Sequence, residues 1–100
     1  MSSNDFIQVA KGKNAQVAFD KAVEQALYDH GHNGYTGTIA EKQEEGFIRF
    51  PFKKGGTEEE ALEIARKLVQ RDNRIGSKHD PAGCITIKRG TYLFFGKAQC

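Results

Sequence analysis

The sequence is poor in the residues that staple small proteins or bind metals through sulfur. It has no tryptophan, one methionine, two prolines and two cysteines among 100 residues. The cysteines, Cys84 and Cys100, form no spaced framework, so the sequence does not indicate a disulfide scaffold. We therefore expect free thiols and a single domain, residues 1–100, that is held together by its hydrophobic core.

Long apolar runs are also missing. No stretch approaches the roughly 18 consecutive apolar residues that a membrane span requires. The opening MSSNDFIQVAKGK lacks the charged-then-apolar pattern of a secretory signal. From both absences we expect a cytoplasmic protein that has no contact with a membrane.

Net charge is small, but it is unevenly distributed. The net charge is +2, yet residues 1–65 hold 7 Lys or Arg against 11 Asp or Glu, whereas residues 66–100 hold 8 against 2. A basic segment attracts phosphates or an acidic partner surface, but without a long Lys/Arg run it does not by itself indicate nucleic-acid binding. The basic third is thus either a solvated face or an anion-binding surface.

The apolar pattern predicts seven elements. Alternating residues and turn signals predict strands at 5–10, 36–42, 47–52, 84–88 and 92–95. Helical spacing predicts helices at 15–30 and 58–72. Asn14 stands where a helix N-cap belongs, and Thr57 with Glu60 forms a capping box.

The order β-α-β-β-α-β-β predicts an α+β fold. Its first six elements match the ferredoxin-like split βαβ arrangement, with two helices on one face of a mainly antiparallel sheet. The fifth strand would extend the sheet as a C-terminal edge strand. Because an exposed edge can pair with a second copy, we predict a homodimer through the C-terminal hairpin, with Tyr92 and Phe94 at the interface.

This topology would bring the segment after the first helix to the same end as two basic loops. In that segment His32 and Tyr35 flank an Asn-Gly pair. The turn explains the glycine, because a turn often requires a positive φ, but it does not explain the two flanking residues. The candidate ligand- or partner-binding residues at this end are His32, Tyr35, Thr36, Lys53, Lys54 and Arg89. The alternative is a well-bonded connection with no binding role.

The opposite end would hold the start of the first helix and the loop at 73–83. The first helix carries no acid before Asp20, so its positive end suits an anion, whereas Glu58, Glu59 and Glu60 fill the first turn of the second helix. The candidate anion-binding residues are Lys11, Lys13, Arg74, Lys78 and His79. Neither helix start matches a P-loop or dinucleotide fingerprint.

The histidines do not complete a metal site in this prediction. His30 and His32 have H-x-H spacing beside one carboxylate, but zinc normally takes three or four protein ligands, and His79 is predicted at the other end. His30 is equally suited to capping the negative end of the helix. We therefore predict no metal and no cofactor.

Nucleic-acid binding and catalysis are weaker alternatives. Residues 46–52 lie where an RNA-recognition motif carries its aromatic octamer, but Arg49 replaces an aromatic and Pro51 would interrupt a central strand. The chain has no nucleophile elbow and no isolated carboxylate pair, so no catalytic residue is assigned. Acid/base chemistry by His32 and Tyr35 is a third alternative.

Two stretches carry a resemblance to a known group of proteins. YDHGHNGYTGTIAEK and the later YLFFGKA resemble segments of small accessory proteins encoded by tailed bacteriophages; the likeness runs from Ala18 to Lys42 and over the last ten residues. The resemblance brings no activity residue by residue. It implies a phage accessory protein that works in the bacterial cytoplasm by binding and inhibiting a host protein, such as a defence component. The alternative is a binder of small phosphorylated ligands, such as signalling nucleotides.

Overall fold

The computed structural model describes residues 3–30, 39–42, 46–53, 55–72, 75 and 80–99. Within these residues four strands occur: β1 (Ser3–Lys11), β2 (Phe47–Phe50), β3 (Ala82–Lys88) and β4 (Thr91–Gln99). The helices are α1 (Ala15–His30), α2 (Glu58–Arg71) and a 3₁₀ helix, Ile39–Lys42. The predicted α+β class is confirmed. No helix in this described part is long and apolar enough to cross a membrane.

The sheet is mixed, and its strand order is β1-β4-β3-β2. Strand β4 runs antiparallel to both of its neighbours, whereas β2 and β3 are parallel. Helix α2 connects these parallel strands, and a tight turn at Gly90, with a positive φ of 81°, connects β3 to β4. The predicted ferredoxin-like strand order is therefore wrong.

The predicted strand at 36–42 is the source of this error. Residues 39–42 form a 3₁₀ helix, and residues 36–38 lie outside the described part of the chain. Ile39 and Lys42 are both fully buried, as expected for positions i and i+3, which share one side of a 3₁₀ helix. Because the described residues before β2 form one strand fewer than predicted, β2 and each later element run in the direction opposite to the predicted one.

The two helices pack on opposite faces of the sheet, not on one face as predicted. We call the two clusters the α1-side core and the α2-side core. The α1-side core joins α1 to alternate strand residues, including Phe6, Phe47, Cys84, Tyr92 and Phe94. The α2-side core joins α2 to the strand residues between them, including Ile7, Phe50, Ile85, Leu93 and Phe95. Because successive side chains of a strand point to opposite faces, one sheet serves both cores.

Helix α1 approaches the sheet closely because its buried face is rich in alanine. Ala15, Ala18, Ala22 and Ala26 are all buried there. Phe19 supplies the bulk, and its ring lies 5.0 Å from that of Phe47 and 5.4 Å from that of Phe94, measured between centroids. Small residues thus set the distance between the layers, while one aromatic cluster fills the α1-side core.

Strand β4 is a central strand of the sheet, and residues of both cores come from it. It pairs with β1 on one side and β3 on the other, and its Tyr92 and Phe94 are 7% and 0% exposed. The predicted C-terminal edge strand and its dimer interface at Tyr92 and Phe94 are therefore wrong. The edges of the described sheet are β1 and β2.

Gly83 in β3 makes room for a β4 side chain on the α2 side of the sheet. A Cβ atom on Gly83 would overlap the ring of Phe95, since the two would lie closer than packed atoms approach. Phe95 is fully buried and belongs to the α2-side core. Its ring therefore occupies the space that any other residue at position 83 would fill.

Candidate binding site at the basic end of the sheet

Strands β1, β2 and β3 run in the same direction, so their C-terminal ends lie together at one end of the sheet. We call this the basic end, because it carries Lys11, Lys13, Lys53, Lys88 and Arg89. The N–H of Gly12 donates to the carbonyl of Gly90 over 3.1 Å, which joins the start of α1 to the β3–β4 turn. The fold thus brings cations from three separate segments to one end.

This arrangement changes the predicted grouping of site residues. Lys11 and Lys13 were predicted opposite Lys53 and Arg89, but all four lie at the basic end. The predicted grouping is wrong because it depended on the strand at 36–42. Predicted site residues that lie outside the described residues are His32, Tyr35, Thr36, Lys54, Arg74, Lys78 and His79.

Except for Lys54, which follows Lys53 at the basic end, those residues are flanked by elements at the other end of the sheet. Helix α1 ends at His30, α2 ends at Arg71, and β3 begins at Ala82, all opposite the basic end. The predicted partnership of Lys11 and Lys13 with the loop at 73–83 therefore loses its topological basis.

An open groove lies at the basic end on the side of α2. It has a volume of about 390 Å³, within the range of sites for small ligands. Its walls are Val9, Lys11, Gly56, Thr57, Glu58, Ile87, Lys88 and Thr91. A second depression, about 460 Å³, adjoins it through Gly56, Ile87 and Lys88 and reaches Lys53 and Arg89. The lining of the groove combines the apolar Val9 and Ile87 with two lysines and one carboxylate, that of Glu58.

Among the acids at the start of α2, Glu60 already has hydrogen-bond and ion-pair partners next to the helix start. Thr57 N–H donates to Glu60 Oε1 over 3.2 Å, Glu60 N–H donates to Thr57 Oγ1 over 3.2 Å, and Lys53 forms an ion pair with Glu60. The Lys53 ammonium first, and the Thr57 N–H second, hold the pKa of Glu60 below its usual value. The predicted capping box is confirmed.

The remaining cations are not neutralised in the same way. Lys11, Lys13, Lys88 and Arg89 make no ion pair with another residue of the described ranges. The first turn of α1 carries no acid, and Asn14 caps it by accepting the Val17 N–H over 2.9 Å. An anion at the basic end would therefore meet positive charge that no acid of the described residues neutralises.

A second exposed feature was missed in the sequence. Tyr28 is 86% exposed on the outer face of α1. Lys21, Glu24 and Gln25 lie beside it around a shallow depression of about 410 Å³. The spacing 21, 24, 25, 28 follows one helix face. An aromatic residue among polar positions of the helix was the signal that could have revealed it.

The described residues offer little for nucleophilic or metal chemistry. Cys84 is fully buried, and burial raises the pKa of its thiol to about 12. No group of three or more potential metal ligands occurs among the described residues. The side chain of His30, and all of His32 and His79, lie outside them.

Fold and site together define a small α+β domain with a helix on each face of a four-stranded mixed sheet and a basic groove at one end. No family model matches the chain, and no curated protein or solved structure matches it either. The resemblance to phage accessory proteins therefore stays a prediction.

Proposed function

We propose that this chain is a non-catalytic binding protein that holds a small phosphorylated ligand, such as a signalling nucleotide, at its basic end. The observation that carries the proposal is the groove between Lys11 and Lys88, with Lys13 and Arg89 close by in the chain. These cations come from separate segments and have no acidic partner among the described residues. Positive charge that converges beside a ligand-sized groove favours an anion.

The composition of the groove suggests how such a ligand would lie. A phosphate fits at the lysine rim, where Arg89 adds a planar, bidentate donor in the adjoining depression. Val9 and Ile87 give an apolar floor for the rest of the molecule. Glu58 would repel a second phosphate and accept hydrogen bonds from hydroxyl or amino groups. This pattern favours a ligand with one phosphate at the rim and a neutral polar body.

Thermal-shift and calorimetric titrations with nucleoside monophosphates, cyclic nucleotides and cyclic dinucleotides test the proposal. A ligand at 100 times its dissociation constant stabilises the fold by about 2.7 kcal/mol, which raises the Tm of a domain this size by several degrees. The double variant Lys11→Ala/Lys88→Ala should lose this shift. Lys67→Ala, an exposed charge removal on α2, should keep it. Unchanged affinity in the double variant would exclude the groove.

We propose as a second candidate that the chain blocks a host protein in the bacterial cytoplasm. The resemblance to phage accessory proteins motivates it, and the 86% exposure of Tyr28 is the observation that favours it. Tyrosine is among the residues that most often anchor protein interfaces, because it buries a large rigid surface and keeps a polar tip. The row Lys21, Glu24 and Gln25 would supply the polar rim around that anchor.

Affinity capture from bacterial lysate tests this candidate with matched variants. A host protein that contacts α1 should be retained by the parent chain and by Glu63→Ala, which alters an exposed position of α2. Tyr28→Ser should lose about thirtyfold or more in affinity, because the truncation of an anchoring aromatic costs about 2 kcal/mol or more. Equal retention by Tyr28→Ser and the parent would remove α1 as the contact.

A further inference from the structure

The two edge strands of the described sheet, β1 and β2, differ in how well each could pair with a strand of another chain. Strand β2 has four residues and is followed by Pro51, which cannot donate a ladder hydrogen bond. Strand β1 has nine residues, contains no glycine or proline, and pairs with β4 without any shift of register. Within the described residues β1 pairs with β4 alone. Natural sheets usually blunt long, regular edges with short strands, prolines, bulges or charges. The described β2 edge is short and is followed by Pro51, whereas the β1 edge carries charges, Asp5 and Lys11, on either side of an uncharged centre.

The side chains of β1 on the α2 side form a short self-complementary pattern. In order they are Asp5, Ile7, Val9 and Lys11, an acid and a base on either side of two apolar residues. Asp5 also forms an exposed ion pair with Lys97 of β4 over 3.6 Å, and its outer side remains open to a second cation. Val9 is 37% exposed, and Ile7 is only half-buried in the α2-side core. An apolar pair at a sheet edge, with opposite charges at its two ends, is complementary to its own copy in antiparallel orientation.

One antiparallel register satisfies all four positions. When β1 meets a second β1 with Gln8 opposite Gln8, Asp5 lies opposite Lys11 and Ile7 lies opposite Val9, each pair occurring twice. A shift of two residues would place Ile7 opposite Lys11, or Asp5 opposite Val9. A shift of one residue would place odd-numbered residues of one β1 opposite even-numbered residues of the other. The α2-side core of one copy would then lie on the same face as the α1-side core of the other. Charge and burial therefore agree on a single alignment.

We propose that the chain forms a symmetric dimer through antiparallel β1–β1 pairing centred on Gln8. The two sheets become one sheet of eight strands, in which each copy's Ile7 and Val9 cover those of the other. A two-fold axis closes the assembly, so further copies cannot add at this edge. The basic ends then point in opposite directions. Val9 and Lys11 also line the groove of the proposed function, so the dimer and the ligand share these two residues, and the dimer is tested on the ligand-free chain.

The mass in solution tests the dimer. Multi-angle light scattering of the ligand-free chain from about 5 to 500 µM should show a rise to twice the 11.1 kDa of one chain, because a single strand pairing is a small interface that depends on concentration. Val9→Lys should hold the mass at one chain over the same range. Val9→Thr, which keeps the β-branched shape, should still dimerise. A parent chain that stays at one mass, or a Val9→Lys chain that doubles, overturns the proposal.

Charge reversal tests the register. Asp5→Lys and Lys11→Asp should each raise the dissociation constant by about tenfold or more, because each places two like-charged pairs opposite one another. An equimolar mixture should dimerise again, since every opposed pair then joins an acid to a base. Circular dichroism of each variant alone verifies that it is folded. A mixture no heavier than its separate components overturns the register, and with it the proposal.

Discussion

Lys42 is buried at the junction between the 3₁₀ helix and the strand layer. Its side chain is 0% exposed, and Nζ donates to the carbonyl oxygen of Asp80, just before β3. An ammonium group removed from water requires such partners, and their loss leaves a buried acceptor unsatisfied. We predict that Lys42→Ala lowers the free energy of unfolding by about 2 to 4 kcal/mol, measured by urea denaturation.

The control for this prediction is Lys67→Ala on the exposed side of α2. That substitution should change the free energy of unfolding by no more than about 0.5 kcal/mol. Equal effects of the two substitutions would show that burial at position 42 contributes nothing.

Cys84 provides a pH-dependent prediction at the same scale. Burial raises the pKa of its thiol to about 12, although the nearby Arg49 charge opposes this shift. In a Cys100→Ser variant, which leaves one thiol, alkylation at pH 8 should be negligible in buffer and rapid in denaturant. Rapid alkylation of the folded variant would contradict the burial of Cys84.

The sign of the pH effect follows from the raised pKa. The folded state holds the thiol proton more tightly than the unfolded state, whose pKa is near 9.0. Its contribution to stability is therefore complete below pH 9 and declines as the pH rises toward 12. Because Cys84→Ala lacks this thiol, its stability should fall less steeply than that of the parent over that interval.

Residues within one turn of its N-terminus determine where α2 begins. Thr57 and Glu60 exchange hydrogen bonds between side chain and backbone, and Glu58, Glu59 and Glu60 face the positive end of the helix. We predict that Thr57→Ala lowers the free energy of unfolding by about 1 kcal/mol. Thr57→Ser, which keeps the oxygen, should lose much less in the same thermal or urea unfolding experiment; equal losses would contradict a role for the hydroxyl.

Strand β4 shows what an element's sequence can indicate and what its context decides. The run Tyr92-Leu93-Phe94-Phe95 lacks the polar alternation of a strand with one wet face, and such runs are typical of strands covered on both faces. That signal was present, but the predicted ferredoxin-like order required an edge at this position. Both faces and both edges of β4 are in fact covered.

At the scale of the whole molecule, two cores share one sheet. Phe19 lies in the α1-side core and Val69 in the α2-side core, with the strands between them. We predict that the destabilisations by Phe19→Leu and Val69→Ala add within about 0.5 kcal/mol in the double variant, because the two side chains have no shared contact surface.

The same variants test whether the two cores unfold together. Urea unfolding followed by far-UV circular dichroism and tyrosine fluorescence should give one coincident transition for each variant, because every strand of the sheet lies between the cores. Separate transitions would mean that the two cores are distinct cooperative units. A double variant whose destabilisation departs from the sum by much more than about 0.5 kcal/mol would mean that the two cores are directly coupled.

The local sequence determined the helices and most of the strands of this protein. The predicted helices 15–30 and 58–72 coincide almost completely with α1 and α2, because caps, periodicity and charge near the termini act within a few residues. The predicted strands at 5–10, 47–52, 84–88 and 92–95 all overlap observed ones. The cations that form the basic end were also visible as candidates.

Only the tertiary structure decided how these parts combine. The strand order, the parallel pairing of β2 with β3, and the opposite placement of the helices depend on contacts between residues far apart in the chain. A single wrong strand at 36–42 was enough to reverse the predicted direction of everything after it, and so to separate Lys11 from Arg89. Local patterns carry no information on the order or direction of strands, because these depend on which distant segments pair. The burial of both faces of β4 reflects the helix packed on each side of the sheet.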